Sequence, residues 1–189
     1  MAELKRKVTL ENKGDEAFVS VQQLIVTLSW TADVDLDLMA FYKTKDGKVG
    51  GVFSDNYPGG SMGNLNSFPF IQLSGDEGIG AKGGANEEKI RITKLDDFAE
   101  LYIVTLNYTD ASQGIETSFN KYDGKVMVMD DKGEAVEVRL NSAGKGTVAV
   151  VCKIDNSSAI GAKMINMNDI MDLDDFAGSI PGANLIVGK

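Results

Sequence analysis

The sequence predicts an all-β chain: an antiparallel β-sandwich with a few short helices or turns. Three observations carry that prediction. The dominant hydrophobic period is two, the repeat of a strand with one buried face. Turn residues recur between the apolar runs, and the 21 glycines exceed the usual share of about 7%. Helix-period patterns are almost absent. With 189 residues the chain is long enough for one domain with a real core and short for two. It reads as a single domain over 1–189, with 168–189 as a short C-terminal helix and tail.

The elements follow in order. In QLIVTLSW (23–30), Leu24, Val26, Leu28 and Trp30 point one way and Ile25, Thr27 and Ser29 the other. LDLMAFY (36–42) is a second strand. Asp46-Gly47 marks a hairpin turn into VGGVFS (49–54). FPFIQL (68–73) is a further strand, placed near an edge or a strand start by Pro69. KIRIT (89–93) alternates. LYIVTLNY (101–108) is β-branched and aromatic on both faces and so is central. Residues 122–140 form two short strands around Asp130-Asp131-Lys132-Gly133, and GTVAVVCKID (146–155) is interior. KMIN (163–166) is a last short strand. Asn168 then caps a short helix from Asp169, with Ile170, Leu173 and Phe176 on one face, Gly178 at its end and Pro181 beyond. Asp110 to Glu116 is a turn or short helix. The tail from Gly178 either packs on the sheet or extends from it.

Composition excludes several functions. The net charge is −9, which disfavours nucleic acid and anionic membranes, since both need clustered Lys and Arg. It suits cations. With no histidine, the commonest general base and the Ser-His-Asp and Cys-His arrangements are gone. The lone cysteine, Cys152, allows no intrachain disulfide and reads as a buried core thiol, in keeping with a cytoplasmic protein. The N-terminus lacks the apolar core of a signal peptide. The longest apolar stretch, Phe18 to Trp30, falls far short of the ~20 residues of a membrane span, so membrane insertion is not expected.

Two stretches stand out. DVDLDL (33–38) sets Asp33, Asp35 and Asp37 on one face. SGDEGIGAKGGANEEK (74–89) is a long glycine-rich acidic loop, a length that usually signals function or disorder. Ca²⁺ takes about six to eight oxygens from carboxylates, amides, backbone carbonyls and water. Glycines let a loop turn its carbonyls toward one point. Asp76, Glu77, Asn86, Glu87 and Glu88 supply oxygens at the ends of that loop. Same-face residues on a strand lie ~6.6–6.8 Å apart, so three aspartates cannot all reach one ion from an ideal strand. Either Asp33 sits in the turn before the strand, or two ions bind, or not all three are ligands. An EF-hand starting at Asp33 would need glycine sixth and glutamate twelfth, where this chain has Leu38 and Thr44. The phosphate-loop pattern is absent as well.

These stretches resemble the bacterial tellurium-resistance TerD family. LIVTLSW (24–30) followed by DVDLDLMAF (33–41) is similar to the family's apolar strand ending in Trp and its acidic strand. DGKVG (46–50), VFSDN (52–56), GDEGIGAKGGANEEKI (75–90) and AELYIVTLNY (99–108) look like the segments that follow, and KVTLENKGDEAFVS (7–20) like an N-terminal hairpin. The resemblance spans most of residues 7–155. It implies a β-sandwich that binds calcium through the acidic segments and is associated with resistance to tellurite and other stresses. Asp35 and Asp37 match the family's paired aspartates, Asp76 the aspartate opening the loop and Glu88 the glutamate closing it. Asn86 and Glu87 stand where the family has two aspartates. Met39 replaces a small polar residue, and Ala81, Lys82, Gly83 and Gly84 replace central acids, which implies weaker binding or the loss of one of two sites. The implied metal set is therefore Asp35, Asp37, Asp76, Asn86, Glu87 and Glu88, with Asp33 as a second-site or supporting candidate.

The expected function is a calcium-binding, stress-response module that acts by binding or scaffolding, with other stress-response proteins as partners, and not as an enzyme. A carbohydrate- or small-ligand-binding sandwich without a metal is the alternative. Tyr42, Tyr57 and Phe53, around YPGGSMGN (57–64), would line its surface. Trp30 is expected in the core beside the acidic strand. Asp96, Asp97, Asp172, Asp174 and Asp175 read as solvated or capping acids.

Overall fold

The structure is a computed structural model that describes residues 2–74, 85–116 and 118–188. Its strands are β1 (Arg6–Thr9), β2 (Glu16–Val19), β3 (Gln22–Trp30), β4 (Leu36–Thr44), β5 (Val49–Val52), β6 (Gly63–Asn64), β7 (Ile71–Leu73), β8 (Asn86–Lys94), β9 (Phe98–Asn107), β10 (Lys125–Met129), β11 (Glu134–Arg139), β12 (Val148–Asp155) and β13 (Ala162–Met171). The helices are α1 (Tyr108–Gln113) and α2 (Leu173–Ser179), with short 3-10 turns at Phe119–Lys121 and Ala183–Val187. The strands form two sheets packed face to face. The seven-stranded sheet runs β1-β11-β10-β3-β8-β7-β6 and the six-stranded sheet β2-β13-β12-β9-β4-β5. Every named pair is antiparallel except β1 with β11. The predicted sandwich is observed.

Alternation builds the main core. Leu24, Val26, Leu28 and Trp30 of β3 and Ile90 and Ile92 of β8 meet Leu36, Leu38 and Ala40 of β4 and Leu101 and Ile103 of β9 between the sheets. β9 lies between β12 and β4 and is apolar on both faces, as a doubly covered strand must be. Its outer residues Tyr102, Val104 and Leu106 join a second core with Met39, Phe41, Val148, Val150 and Phe176. A bulge at Val151 lets β12 feed both cores, since the register steps between Val150 and Cys152. Cys152 is fully buried, and burial pushes its thiol pKa well above the ordinary value. That leaves it an inert core residue.

The C-terminal segment packs on the six-stranded sheet. The Phe176 ring meets Phe41 edge-on, with centroids 5.2 Å apart, and Phe41 stacks on Phe53 at 5.3 Å. Gly182, at φ +83°, lies so close to β5 that a Cβ there would fall 2.3 Å from the Gly50 carbonyl oxygen. Only glycine permits that approach.

Three expectations change. β13 is a ten-residue strand that continues to Met171, because Ile170 pairs with Ala149 of β12. Asn168 therefore sits inside a strand, at φ +45°, and caps no helix. Asp172 caps α2 instead, accepting from the Asp175 amide at 2.8 Å. Gly178 lies within that helix, whose C-cap is Ile180. Finally, β1 and β2 do not form a hairpin. β1 pairs with β11 and β2 with β13, so the segment between them crosses from one sheet to the other.

Candidate metal centre

Thr31 to Asp35 carries the chain from the seven-stranded sheet to the six-stranded one. Several hydrogen bonds fix this crossing. The Trp30 indole Nε1 donates to the Val34 carbonyl at 2.7 Å. The Thr31 and Ala32 amides donate to Asp123 Oδ1 at 2.8 and 3.3 Å, and the Thr31 hydroxyl donates to Asp123 Oδ2. The Thr31 hydroxyl is the largest influence holding the Asp123 carboxyl below the usual aspartate range, and these backbone amides add to it. From α1, the Asp35 amide donates to Thr109 Oγ1 and the Tyr108 amide to the Asp35 carbonyl, both at 2.9 Å.

The three aspartates separate along this path. Asp33 is exposed and lies in the turn before β4, the first of the three arrangements open to it. Asp35 is half-buried and Asp37 buried. By alternation, Asp37 shares the outer face of β4 with Met39 and Phe41. The Tyr57 hydroxyl donates to Asp37 Oδ2, and its ring meets Tyr108 edge-on at 6.3 Å. Burial raises the Tyr57 pKa strongly, reinforced by the hydrogen bond to Asp37 and by the charges of Asp37 and Asp35. Tyr57 therefore stays a neutral donor.

β8 approaches the same place from the other sheet. Asn86 and Glu88 point inward and are buried, while Glu87 points outward and pairs with Lys89 at 2.5 Å. β5 covers β4 only from Ala40 to Lys43, which leaves the first half of that edge uncovered by a strand. Glu88 caps it, with Oε2 accepting from the Leu38 amide at 2.6 Å. Asn86 Nδ2 donates to the Ala32 carbonyl at 3.4 Å. Its Oδ1 is buried and has no donor among the described residues. The structure thus brings Asn86 and Glu88 against the segment bearing Asp35 and Asp37. It points Glu87 to the opposite face and leaves Asp33 at the surface. Asp76 and Glu77 lie outside the described residues, as do Ala81, Lys82, Gly83 and Gly84. Among the described residues no three His, Cys, Asp or Glu side chains form a metal cluster. On their own the described donors could supply only part of a cation's coordination shell. They fit a hard cation: carboxylates plus one amide oxygen lacking a donor. A groove of about 790 Å³, lined in part by Asn86, Tyr122, Asp123 and Asn141, opens beside them.

No protein-family model matches the sequence, and no curated protein does. Solved structures similar to it include two of low sequence identity. One is a crystal structure of a homologue of telluride resistance protein (TerD), SCO6318 from Streptomyces coelicolor A3(2). It has 18% identity and a TM-score of 0.52, over 81% of this chain and 92% of that one. The chain has a TerD-like fold. The second, a protein of unknown function, SAV2460, has 15% identity and a TM-score of 0.54, over 80% of this chain and 92% of that one. At these identities the likeness is one of fold.

Within this TerD-like sandwich, a buried polar group beside the crossing has no counterpart among the sequence-derived candidates. Asp110 Oδ2 accepts from Asn107 Nδ2 at 2.8 Å and from the Tyr122 hydroxyl at 2.9 Å, while the Asp110 amide donates to Asn107 Oδ1. This network fixes α1, and with it Tyr108 and Thr109 against Asp35. The aromatic residues considered for a sugar surface are otherwise engaged. Phe53 is fully buried, Tyr42 packs against Phe98 at 4.9 Å, and Tyr57 is tied to Asp37.

Proposed function

We propose that this TerD-like chain is a calcium-binding, cytoplasmic stress-response module, of the kind linked to tellurite resistance, that works by binding or scaffolding other proteins and not by catalysis. The observation that carries this reading is the Asn86 carbonyl oxygen, buried and without a donor among the described residues, where two acidic segments meet. Asp35, Asp37, Asn86 and Glu88 would hold the ion, with Asp76 as a further candidate ligand outside the described residues. Bound calcium would compensate the charge of these carboxylates and draw their oxygens together. The chain's own residues do the rest. Glu88 comes from the seven-stranded sheet and Asp37 from the six-stranded one, so a shared ion ties the two sheets together at this end. Tyr57 orients Asp37, and α1 holds Asp35 in place. Such a tie would present an ordered acidic edge to a partner. No helix among the described residues is long and apolar enough to cross a membrane.

Thermal unfolding with and without calcium tests this reading. A ligand at 100 times its Kd stabilises by about 2.7 kcal/mol, which for a chain of this size raises Tm by roughly 5–10 °C. Calcium should produce that shift, equimolar magnesium a much smaller one, and Asp37→Asn should abolish it. An unchanged Tm in millimolar calcium would refute the metal reading.

A further inference from the structure

The second inference concerns the outer face of the seven-stranded sheet. No helix among the described residues covers it. Its strand residues include Lys7 on β1, Arg139 on β11, Lys125 on β10, and Lys89 and Arg91 on β8. Only Glu137 and Glu87 oppose them. Five cations against two carboxylates give this face a net charge of +3 on a chain whose total is −9. The two carboxylates are already committed. Glu137 is buried beneath Lys7 at 3.3 Å and Arg139 at 3.7 Å, and Glu87 pairs with Lys89. Arg91 and Lys125 make no ion pair with any described residue and are exposed. Between them lie the half-buried side chains of Ile25, Thr27, Met127 and Met129. Arg91, Arg139, Met127 and Met129 on this face are of the residue types enriched at protein interfaces.

The opposite side of the sandwich carries the complement. α2 packs through Phe176 on the outer face of the six-stranded sheet and turns Asp172, Asp174 and Asp175 to solvent. The helix has no basic residue in its last turn, and residues 176–188 carry no charge. Leu173 and Ile180, half-exposed beside the aspartates, could meet Met127 and Met129. The three aspartates fall within about one helical turn, ~5 Å of rise. Lys125 lies opposite Ser29 and Arg91 opposite Ile25, so these cations stand two strand spacings across and four residues along the sheet, ~16 Å apart.

We propose that the outer face of the seven-stranded sheet docks the acidic α2 surface of a second copy of this chain. The two surfaces lie on opposite sides of the molecule, so the contact is heterologous. Each added copy leaves one face of each kind free, and copies would stack into open rows. Net repulsion between copies acts at long range. The face-to-face pairs act within the ~8–10 Å over which physiological salt leaves charges unscreened.

Sedimentation velocity tests this, using the full chain over a concentration series at about 0.1 M and 1 M salt, where the screening length falls to ~3 Å. Wild type should form concentration-dependent oligomers of increasing size at the lower salt and weaken at least tenfold at the higher. Arg91→Glu/Lys125→Glu removes one face, and Asp174→Lys/Asp175→Lys removes the other. Each variant alone should be monomeric. Mixed together, they keep one intact face of each kind and should associate again, which also shows that both variants are folded. A wild type that stays monomeric at every concentration would overturn the proposal. So would oligomers that survive both sets of reversals. Co-sedimentation of monomeric wild type with phosphatidylserine vesicles, lost in Arg91→Glu/Lys125→Glu, would assign the face to an anionic membrane and equally overturn it.

Discussion

The outer face of the six-stranded sheet carries Met39, Phe41, Val104 and Val150, sealed beneath Phe176 and Ile186. The outer face of the seven-stranded sheet carries Thr27, Arg91, Lys125 and Met127, with no helix over it among the described residues. The inner faces of the two sheets are nearly alike, both aliphatic. The difference teaches where each sheet draws its stability. One sheet is held by two cores, the other by one core and a polar surface. The candidate metal centre lies at the seam, where Glu88 from the second sheet caps the edge of β4 in the first.

Mutation can break that contrast at graded cost. The largest effect is expected on the covered face. Phe176→Ala empties the second core and should cost about 3–5 kcal/mol, read from the midpoint of chemical denaturation. At the seam, Glu88→Ala leaves the buried Leu38 amide without its acceptor and should cost about 1–3 kcal/mol in the same assay. Asp123 should show its effect through pH. Its folded pKa is depressed by the Thr31 hydrogen bonds, so its stabilisation is present above the ordinary aspartate pKa and is lost as pH falls through the folded value. Asp123→Asn should therefore lower Tm at neutral pH and flatten the acid limb of the Tm profile below about pH 4. The smallest effect belongs to the open face. Arg91→Ser or Met127→Thr should move stability by no more than about 0.5 kcal/mol. A large loss in the dilute monomer would mean that another part of the same chain covers this face.

The sequence expressed this contrast in its periods. QLIVTLSW alternates because β3 has one wet face, and LYIVTLNY does not because β9 is covered twice. Features made by pairing at a distance were hidden. Ile170 kept a helical spacing with Leu173 and Phe176, yet its ladder partner Ala149 holds it in β13. The family resemblance suggested a hairpin in 7–20, and nothing local showed that its two strands pair with different sheets. At the candidate centre, DVDLDL and the closing acids of the long loop were visible as composition. Which acids turn inward follows from strand parity once β8 is known to begin at Asn86. Asp123 binds Thr31 from 92 residues away, and Tyr57 reaches Asp37 across a turn and a strand. Neither contact leaves a local pattern. The signal for Tyr57 was at most an aromatic residue in a glycine-rich loop.

The central claim is that the 33–37 segment and the start of β8 share one ion. Calorimetric calcium titration of wild type, Asp37→Asn and Asn86→Ala tests it most directly. The account predicts saturable binding in wild type and weaker affinity at the same site in both variants, one from each sheet. Calcium binding unchanged by either substitution, or lost in only one of them, would contradict it.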